Sequence, residues 1–250
     1  MAEIISSRAN RWVRRLRDAI DEHRDEIVLE GPKQVRDAIE RGWEPIAIAL
    51  EEETPGVDEQ LVTVRVSRPL FRALTDAVHP QGVLGLFRRP KSSAESLFRN
   101  PATIVVALDG VQDPGNVGTI VRLAAAFDAG GVALTGECAD PYSPKAIRAS
   151  AGTILELPVH KFTRAALVDA AQVHQFGLFA AAASHTPTPE IPATAAVIVF
   201  GSEGSGVSRE IADRSRPLSI GMSPRVESLN VAAAAAILLS RSYEARKDQG

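Results

Sequence analysis

Apolar and polar positions recur along this chain at two periods, and the switching between them outlines its elements. EIVLE (26–30) and PIAIALEE (45–52) are apolar runs of strand length. Between them KQVRDAIERG places Val35, Ala38 and Ile39 at helical spacing and stops on Gly42. VTVRVS alternates Val62, Val64 and Val66, as a half-buried strand does. PLFRALTDAV (69–78) predicts a helix that starts on Pro69, and GVLGLFRRP (82–90) a returning strand. Strand and helix alternate, which favours an α/β sandwich for this first stretch.

A polar segment ending on proline, KSSAESLFRNP (91–101), interrupts the pattern and marks a boundary. The chain divides into 1–92, a linker at 93–100, and 101–250. In the last part near-continuous apolar strands alternate with helices, the signature of a mostly parallel sheet. TIVVALD (103–109), GVALTG (131–136), LFAAAAS (178–184), AVIVFGSE (196–203) and PLSIGM (217–222) read as strands. NVGTIVRLAAAFDAGG (116–131) reads as a helix capped by Gly130 and Gly131. SPKAIRASAG, with Ser143 as N-cap and Pro144 just inside, FTRAALVDAAQVHQFG and SREIADR read as three more. A last helix follows Ser228-Leu229-Asn230 and contains five consecutive alanines, Ala232 to Ala236. Alanine favours helix but buries little apolar area, so the run suits close approach of another backbone or a ligand.

Composition narrows the classes. With 250 residues, 45% hydrophobic and 24% charged, the chain is a folded globular protein of one large or two ordinary domains. No apolar run reaches the roughly 18 residues of a membrane helix. The N-terminus lacks the apolar core of a signal peptide, so a cytoplasmic protein is expected. The single Cys138 excludes an internal disulfide and a cysteine-rich metal site. The net charge of -3 does not advertise a nucleic-acid binder. Yet Arg8, Arg11, Arg14, Arg15 and Arg17 crowd the first eighteen residues, and Arg88, Arg89 and Lys91 form a second cluster. A solvated helix face is the plainer account of such clusters.

Ligands in open parallel sheets bind beyond the carboxyl ends of strands, and three unusual loops lie there. In LDGVQDPGNVGTIVR, Asp113 to Asn116 make a tight turn into a helix. Asn116 and Arg122 are six residues apart, about 600° or a net 240° of helical rotation, so they do not share a face. Asn116 at or before the helix start leaves both able to border one cleft. In FGSEGSGVSRE, Gly201, Gly204 and Gly206 permit unusual backbone, and Glu203 has no packing role. The pattern is not a phosphate loop, and G-x-G-x-x-G is absent after the first strand of either part, which removes a nicotinamide dehydrogenase. In IGMSPRVESLNVAAAAA, Ser228 and Asn230 can satisfy free helix amides. Each loop alone reads as an ordinary turn or cap; their joint order carries the signal.

N-V-G-T-I-V-R (116–122), F-G-S-E-G-S-G (200–206) and S-L-N-V-A (228–232) together resemble the SpoU, or TrmH-like, branch of the SPOUT RNA methyltransferases. ISSRANRWVRRLRD, VLEGPKQVRDAIERG and HPQGVLG are similar to that family's substrate-binding domain. The resemblance implies a C-terminal α/β-knot domain with a deep trefoil knot and a smaller N-terminal L30e-like α/β domain. It implies S-adenosyl-L-methionine as cofactor, an obligate homodimer and no metal. Gly201, Ile220, Met222, Ser228 and Leu229 would hold the cofactor, and Asn116, Arg122, Glu203, Ser228 and Asn230 would surround the reacting centre. The reaction implied is methyl transfer to a ribose 2'-hydroxyl, in ribosomal RNA first and transfer RNA as the alternative. A non-catalytic RNA-binding protein of the same fold is the rival outside the enzyme class. Arg122 is the family's proposed base. Its guanidinium, with a pKa above ~12, acts either as a transiently neutral base or as a charged stabiliser of phosphate and alkoxide. The polyanionic setting favours the charged role. Arg8, Arg11, Arg14, Arg15, Arg88, Arg89, Lys145 and Arg148 become candidate RNA contacts. Only 5% aromatic residues points to recognition through shape and phosphates rather than base stacking.

Overall fold

The computed structural model describes residues 4–22, 25–56, 61, 63–75, 77–184, 186–188 and 190–248. It divides into two compact units, residues 1–90 with 142–144, and residues 91–141 with 145–250. Among the described residues no helix is long and apolar enough to cross a membrane.

The first unit contains β1 (Ile4–Ile5), α1 (Arg11–Glu22), β2 (Glu26–Glu30), α2 (Pro32–Glu40), β3 (Pro45–Glu51), β4 (Thr63–Val66), α3 (Arg68–Arg72) and β5 (Val83–Arg88). Its mixed sheet runs β1-β4-β3-β5-β2, parallel at β1–β4 and β4–β3 and antiparallel at β3–β5 and β5–β2. Val13, Leu16 and Ala19 fall on one face of α1 and pack with Val28, Ala49, Phe71, Leu84 and Leu86. The opposite face of α1 is left to arginine. Helix α2 ends as its glycine requires, with Gly42 at φ +76°. Val62 lies outside the described residues. The helix expected over 69–78 is a single turn: Thr75 takes the amide of Ala77 on its hydroxyl at 3.0 Å and donates to Glu30 at 2.7 Å. Such local side-chain bonding competes with helical backbone bonds.

The second unit holds α4 (Ala94–Leu97), β6 (Ile104–Asp109), α5 (Pro114–Ala126), β7 (Gly131–Thr135), α6 (Pro144–Ala149), β8 (Val159–Lys161), α7 (Arg164–Val173), β9 (Gly177–Ala183), β10 (Ala196–Gly201), α8 (Arg209–Ala212), β11 (Arg216–Ile220) and α9 (Val231–Lys247). Its sheet runs β11-β9-β10-β6-β7-β8, and every pairing is parallel. The stretch 93–100, read as a linker, belongs to this unit: Leu97 and Phe98 are buried with Val105, Ala133, Leu167 and Val199. Two apolar side chains are enough to fold a polar segment onto a core, each stabilising by about 1.5–3 kcal/mol. Helix α5 ends before Gly130 and Gly131; Asp128 takes the left-handed turn at φ +53°, and Gly131 opens β7.

Chain order leaves β6 outward through β7 to β8, whereas β10 leads back past β9 to β11. The switch point therefore lies between β6 and β10, where Gly201 pairs with Asp109. Edge strand β11 is strapped by the loop between β9 and β10: Ser219 donates through its amide to Thr188 Oγ1 at 2.8 Å and through its hydroxyl to the Thr186 carbonyl at 2.7 Å. The Ser242 hydroxyl of α9 donates to the carbonyl of Pro192, in the same loop.

Helices α5 and α9 lie side by side and point the same way. Asn230 meets Asn116 at their starts, and Arg246 donates to the Phe127 and Asp128 carbonyls, at 3.0 and 3.2 Å, at the end of α5. Ala232 and Ala235 are buried in this region, so part of the alanine run serves close helix approach; Ala233 faces outward. Gly118 brings α5 equally close to α6, since a Cβ there would lie 2.2 Å from the Ala146 carbonyl oxygen and 2.8 Å from Ala149 Cβ. Gly118→Ala forces backbone apart rather than a flexible side chain. The expected loss is about 1–3 kcal/mol, read by urea denaturation, with melting lowered by about 2–4 °C for each kcal/mol. A variant as stable as the parent would show that α6 yields.

Candidate active site at the strand ends

Because the sheet is parallel, the loops after β6, β10 and β11 leave the same edge. The loop after β6 enters α5 through Asp113, whose carboxylate accepts the amides of Gly115 at 2.6 Å and Asn116 at 3.0 Å. Lys145 donates to its other oxygen at 2.9 Å. The Lys145 hydrogen bond, followed by the helix amides, holds the Asp113 carboxyl below its ordinary range. Asn116 is therefore the third residue of α5, not at or before its start. The loop after β10 folds on itself: Ser202 and Gly206 exchange backbone hydrogen bonds at 2.9 and 3.2 Å, with Gly206 at φ +69°. Gly201 has no room for a side chain, since a Cβ would lie 2.0 Å from the Gly206 carbonyl carbon.

Asn230 caps α9, its Oδ1 accepting the amides of Ala232 at 2.9 Å and Ala233 at 3.3 Å. That leaves its Nδ2 to donate to Asn116 Oδ1 at 3.3 Å, and Asn116 Nδ2 donates to Glu203 Oε1 at 2.5 Å. Three of the expected polar residues, one from each loop, thus form one hydrogen-bonded row. Two others are not drawn in. Arg122 is exposed on α5, and among the described residues no hydrogen bond or ion pair reaches it. With Asn116 inside the helix, the net rotation of about 240° turns Arg122 away from the row. Ser228 is exposed in the segment before α9. The expected cofactor residues lie at the same strand ends: Gly201 closes β10, Ile220 closes β11, Met222 is half-buried, and Leu229 is 38% exposed. Among the described residues no cluster of three metal-ligating side chains occurs.

Of the expected RNA contacts, Arg8, Arg11 and Arg14 are exposed on or before α1, and Arg148 is exposed on α6. Structural partners engage several of the expected contacts, Arg11 among them, which lies over the Trp12 ring 5.3 Å from its centroid. Arg15 makes a bidentate pair with Glu26 at 2.5 and 2.9 Å, and that hydrogen bonding pulls the Glu26 carboxyl below its ordinary range. Arg88 pairs with Glu44 at 2.9 Å, and Arg89 lies over the Tyr142 ring, 4.7 Å from its centroid. Lys145 is held by Asp113.

Sequence reasoning missed the buried node beside this row. Asp109, 2% exposed at the end of β6, accepts from Thr135 Oγ1 at 3.0 Å, Arg164 Nε at 2.8 Å and the Ser208 amide at 2.8 Å. Burial pushes its carboxyl up, but the hydrogen bonds from Ser208, Arg164 and Thr135 together outweigh burial and leave it below its ordinary range. The signal was an acidic residue ending an otherwise apolar strand, in TIVVALD.

A carboxyl depressed in the folded state stabilises fully above its unfolded pKa, and that contribution disappears as pH falls through the folded value. Wild-type stability should therefore decline below about pH 4. Asp109→Asn should be less stable at neutral pH and fall less steeply there, as shown by urea midpoints across the acid range. An unchanged acid limb would remove Asp109 as its source.

Three comparisons bear on this site. Residues 103–240 match the model of the SpoU rRNA Methylase family. An uncharacterized tRNA/rRNA methyltransferase of Synechocystis sp. is 36% identical over 191 residues, 74% of this chain and 67% of that protein. The 23S rRNA (guanosine(2553)-2'-O)-methyltransferase RlmP of Bacillus subtilis is 28% identical over 219 residues, 85% of this chain and 86% of that protein. Among solved structures, an AdoMet-bound rRNA methyltransferase from Sinorhizobium meliloti superposes with a TM-score of 0.88 at 25% identity, covering 98% of both chains.

Proposed function

Since the chain belongs to the SpoU rRNA methylase family, whose model takes in residues 103–240, we propose that it transfers a methyl group from S-adenosylmethionine to a ribose 2'-hydroxyl in RNA. Ribosomal RNA is the substrate class, supported by similarity to RlmP over most of both chains. The single observation that carries the reading is the Asn230–Asn116–Glu203 row at the switch point. It joins the three motifs in a polar site of a kind that neither a turn nor a helix cap requires.

The residues around that site suit the cofactor. Gly201 lets the loop after β10 fold tightly against its own strand, while Ile220, Met222 and Leu229 offer apolar surface without charge. Such a set can hold an adenosine by main-chain hydrogen bonds and by packing. Bound there, S-adenosylmethionine supplies a methyl group on a positively charged sulfur. The chain's own residues do the rest. Asn116 orients Glu203 through one carboxylate oxygen; among the described residues no hydrogen bond takes the other. Glu203 is therefore the member of the row able to receive the 2'-hydroxyl proton, directly or through solvent. A charged Arg122 holds the target phosphate and stabilises the developing alkoxide.

The reading extends to assembly. Arg122 turns away from the row of its own chain, and α9 exposes Ala233; both features support a homodimer in which one protomer's Arg122 serves the partner's site. A trefoil knot in the second unit, an L30e-like first unit that grips RNA, and a cytoplasmic location complete it. Arg8, Arg11 and Arg14 are the phosphate contacts of that grip, because they are exposed and Arg15 is taken by Glu26.

Incubation with labelled S-adenosylmethionine and unmodified ribosomal or transfer RNA should yield a labelled 2'-O-methylnucleoside from ribosomal RNA. A methylated base would sink the ribose mechanism, and label in transfer RNA alone would move the substrate class. Arg122→Ala should lower turnover by about a hundredfold or more while cofactor affinity holds; loss of cofactor binding would contradict its place on the RNA side. Arg11→Glu with Arg14→Glu should weaken RNA binding and reduce the slope of log affinity against log salt by about 1 per arginine. Arg15→Gln should chiefly lower stability, so an RNA defect confined to Arg15→Gln would reverse these assignments.

A further inference from the structure

We propose that Asp109 is a positioning residue that holds both ends of the loop bearing Glu203, and so sets where Glu203 stands relative to Asn116. The functional consequence rests on the methyltransferase reading; the clamp does not.

One end of the loop is held by backbone. Gly201 is the register partner of Asp109 across the β6–β10 pairing. The other end is held by side chain, as the Ser208 amide donates to Asp109 Oδ2 at 2.8 Å. Between these anchors the Ser202–Gly206 bridge doubles the segment back, and Glu203 lies at its turn. The second carboxylate oxygen is also committed. Oδ1 accepts from Thr135, at the end of β7, and from Arg164. Asp109 thus gathers the ends of three neighbouring strands. Four residues later the same chain reaches Asp113, which caps α5 and presents Asn116. Both partners of the 2.5 Å Asn116–Glu203 hydrogen bond are referenced to this one residue.

The surroundings are built for the charge. A carboxylate this buried stays ionised only if paired and hydrogen-bonded. Arg164 is the first residue of α7, where a cation opposes the helix dipole. Its position is unfavourable for the helix and is explained by its salt bridge to Asp109 at 2.8 Å. Gly136, at φ +63°, leaves room for the pair: a Cβ there would lie 2.6 Å from the Arg164 guanidinium nitrogen and 3.3 Å from Asp109 Oδ1.

Ser208 allows a selective test. Its φ of -59° and ψ of 149° suit proline, and Ser208→Pro both deletes the clamped N–H and sets the ring Cδ against Asp109 Oδ2, so the carboxylate is forced off the loop. Ser208→Ala keeps the N–H and removes only the hydroxyl, whose oxygen is buried and makes no hydrogen bond among the described residues. Hydrogen exchange would be followed across 202–207, with cofactor affinity by calorimetry, RNA affinity, and turnover at saturating cofactor. Ser208→Pro should speed exchange of those amides by about tenfold or more and lower turnover by about tenfold or more, with RNA affinity retained; Ser208→Ala should do neither. Unchanged exchange and turnover in a folded Ser208→Pro variant would overturn the clamp, as would equal losses in Ser208→Ala. If Ser208→Pro does not fold, Arg164→Met tests the same carboxylate from its other side. It should loosen 202–207 selectively, and an unaltered exchange pattern there would overturn the proposal. Absence of methyl transfer by the wild type would strike the functional reading alone, since loop exchange still judges the clamp.

Discussion

The direction of one side-chain amide orders the site. Asn230 spends its oxygen on two helix amides, so only its nitrogen is left to face Asn116. Asn116 must then answer with its oxygen, which turns its own nitrogen towards Glu203. Neither asparagine can be flipped without placing donor against donor. A helix cap, normally a matter of stability, here sets the polarity of a chain that ends on a carboxylate.

That arrangement depends on the parallel sheet. Parallel strands put every outgoing loop on one edge, and the switch between β6 and β10 opens a crevice there. Two helices leave that edge side by side, and small residues govern how closely elements meet. Ala232 and Ala235 lie where α9 adjoins α5, Gly118 sets the approach of α5 to α6, and Gly201 sets the approach of β10 to its own loop. The alanine run is thus poor in buried area because proximity, not apolar surface, is what the position needs.

Much of this was legible in the sequence, and the reasons for the rest are local. Five of the six strands of the second unit could be read because both faces of a parallel sheet are covered and apolar runs go unbroken; the edge strand β8 was missed because VHK is three residues long and mostly polar. Helix α7 was read well, with Thr163 before it as cap, whereas the start of α5 was placed two residues late because Pro114 and Gly115 looked like a turn. The end of α5 was misread because two glycines outweighed Asp128, and α3 was drawn too long because Thr75 looked like a helical residue rather than a turn. Leu97 and Phe98 were hidden in a polar segment that looked like a linker. At the site, motif order identified Asn116, Glu203 and Asn230. It could not show that Lys145 and Arg15 are held by carboxylates distant in sequence, nor that Asp109 binds a serine amide 99 residues away.

The docking of α9 along α5 also has a kinetic side. Asn116 and Asn230 are 114 residues apart, and Arg246 reaches a carbonyl 119 residues before it. Contacts of that range form only after a large loop has lost its freedom, and they place a parallel sheet among the slower topologies to fold. A nascent chain can complete the first unit while the second is still being synthesised, but it cannot assemble the polar row until residue 230 has emerged. The site is therefore among the last features of the molecule to form, and the emerging polypeptide stays catalytically silent until then.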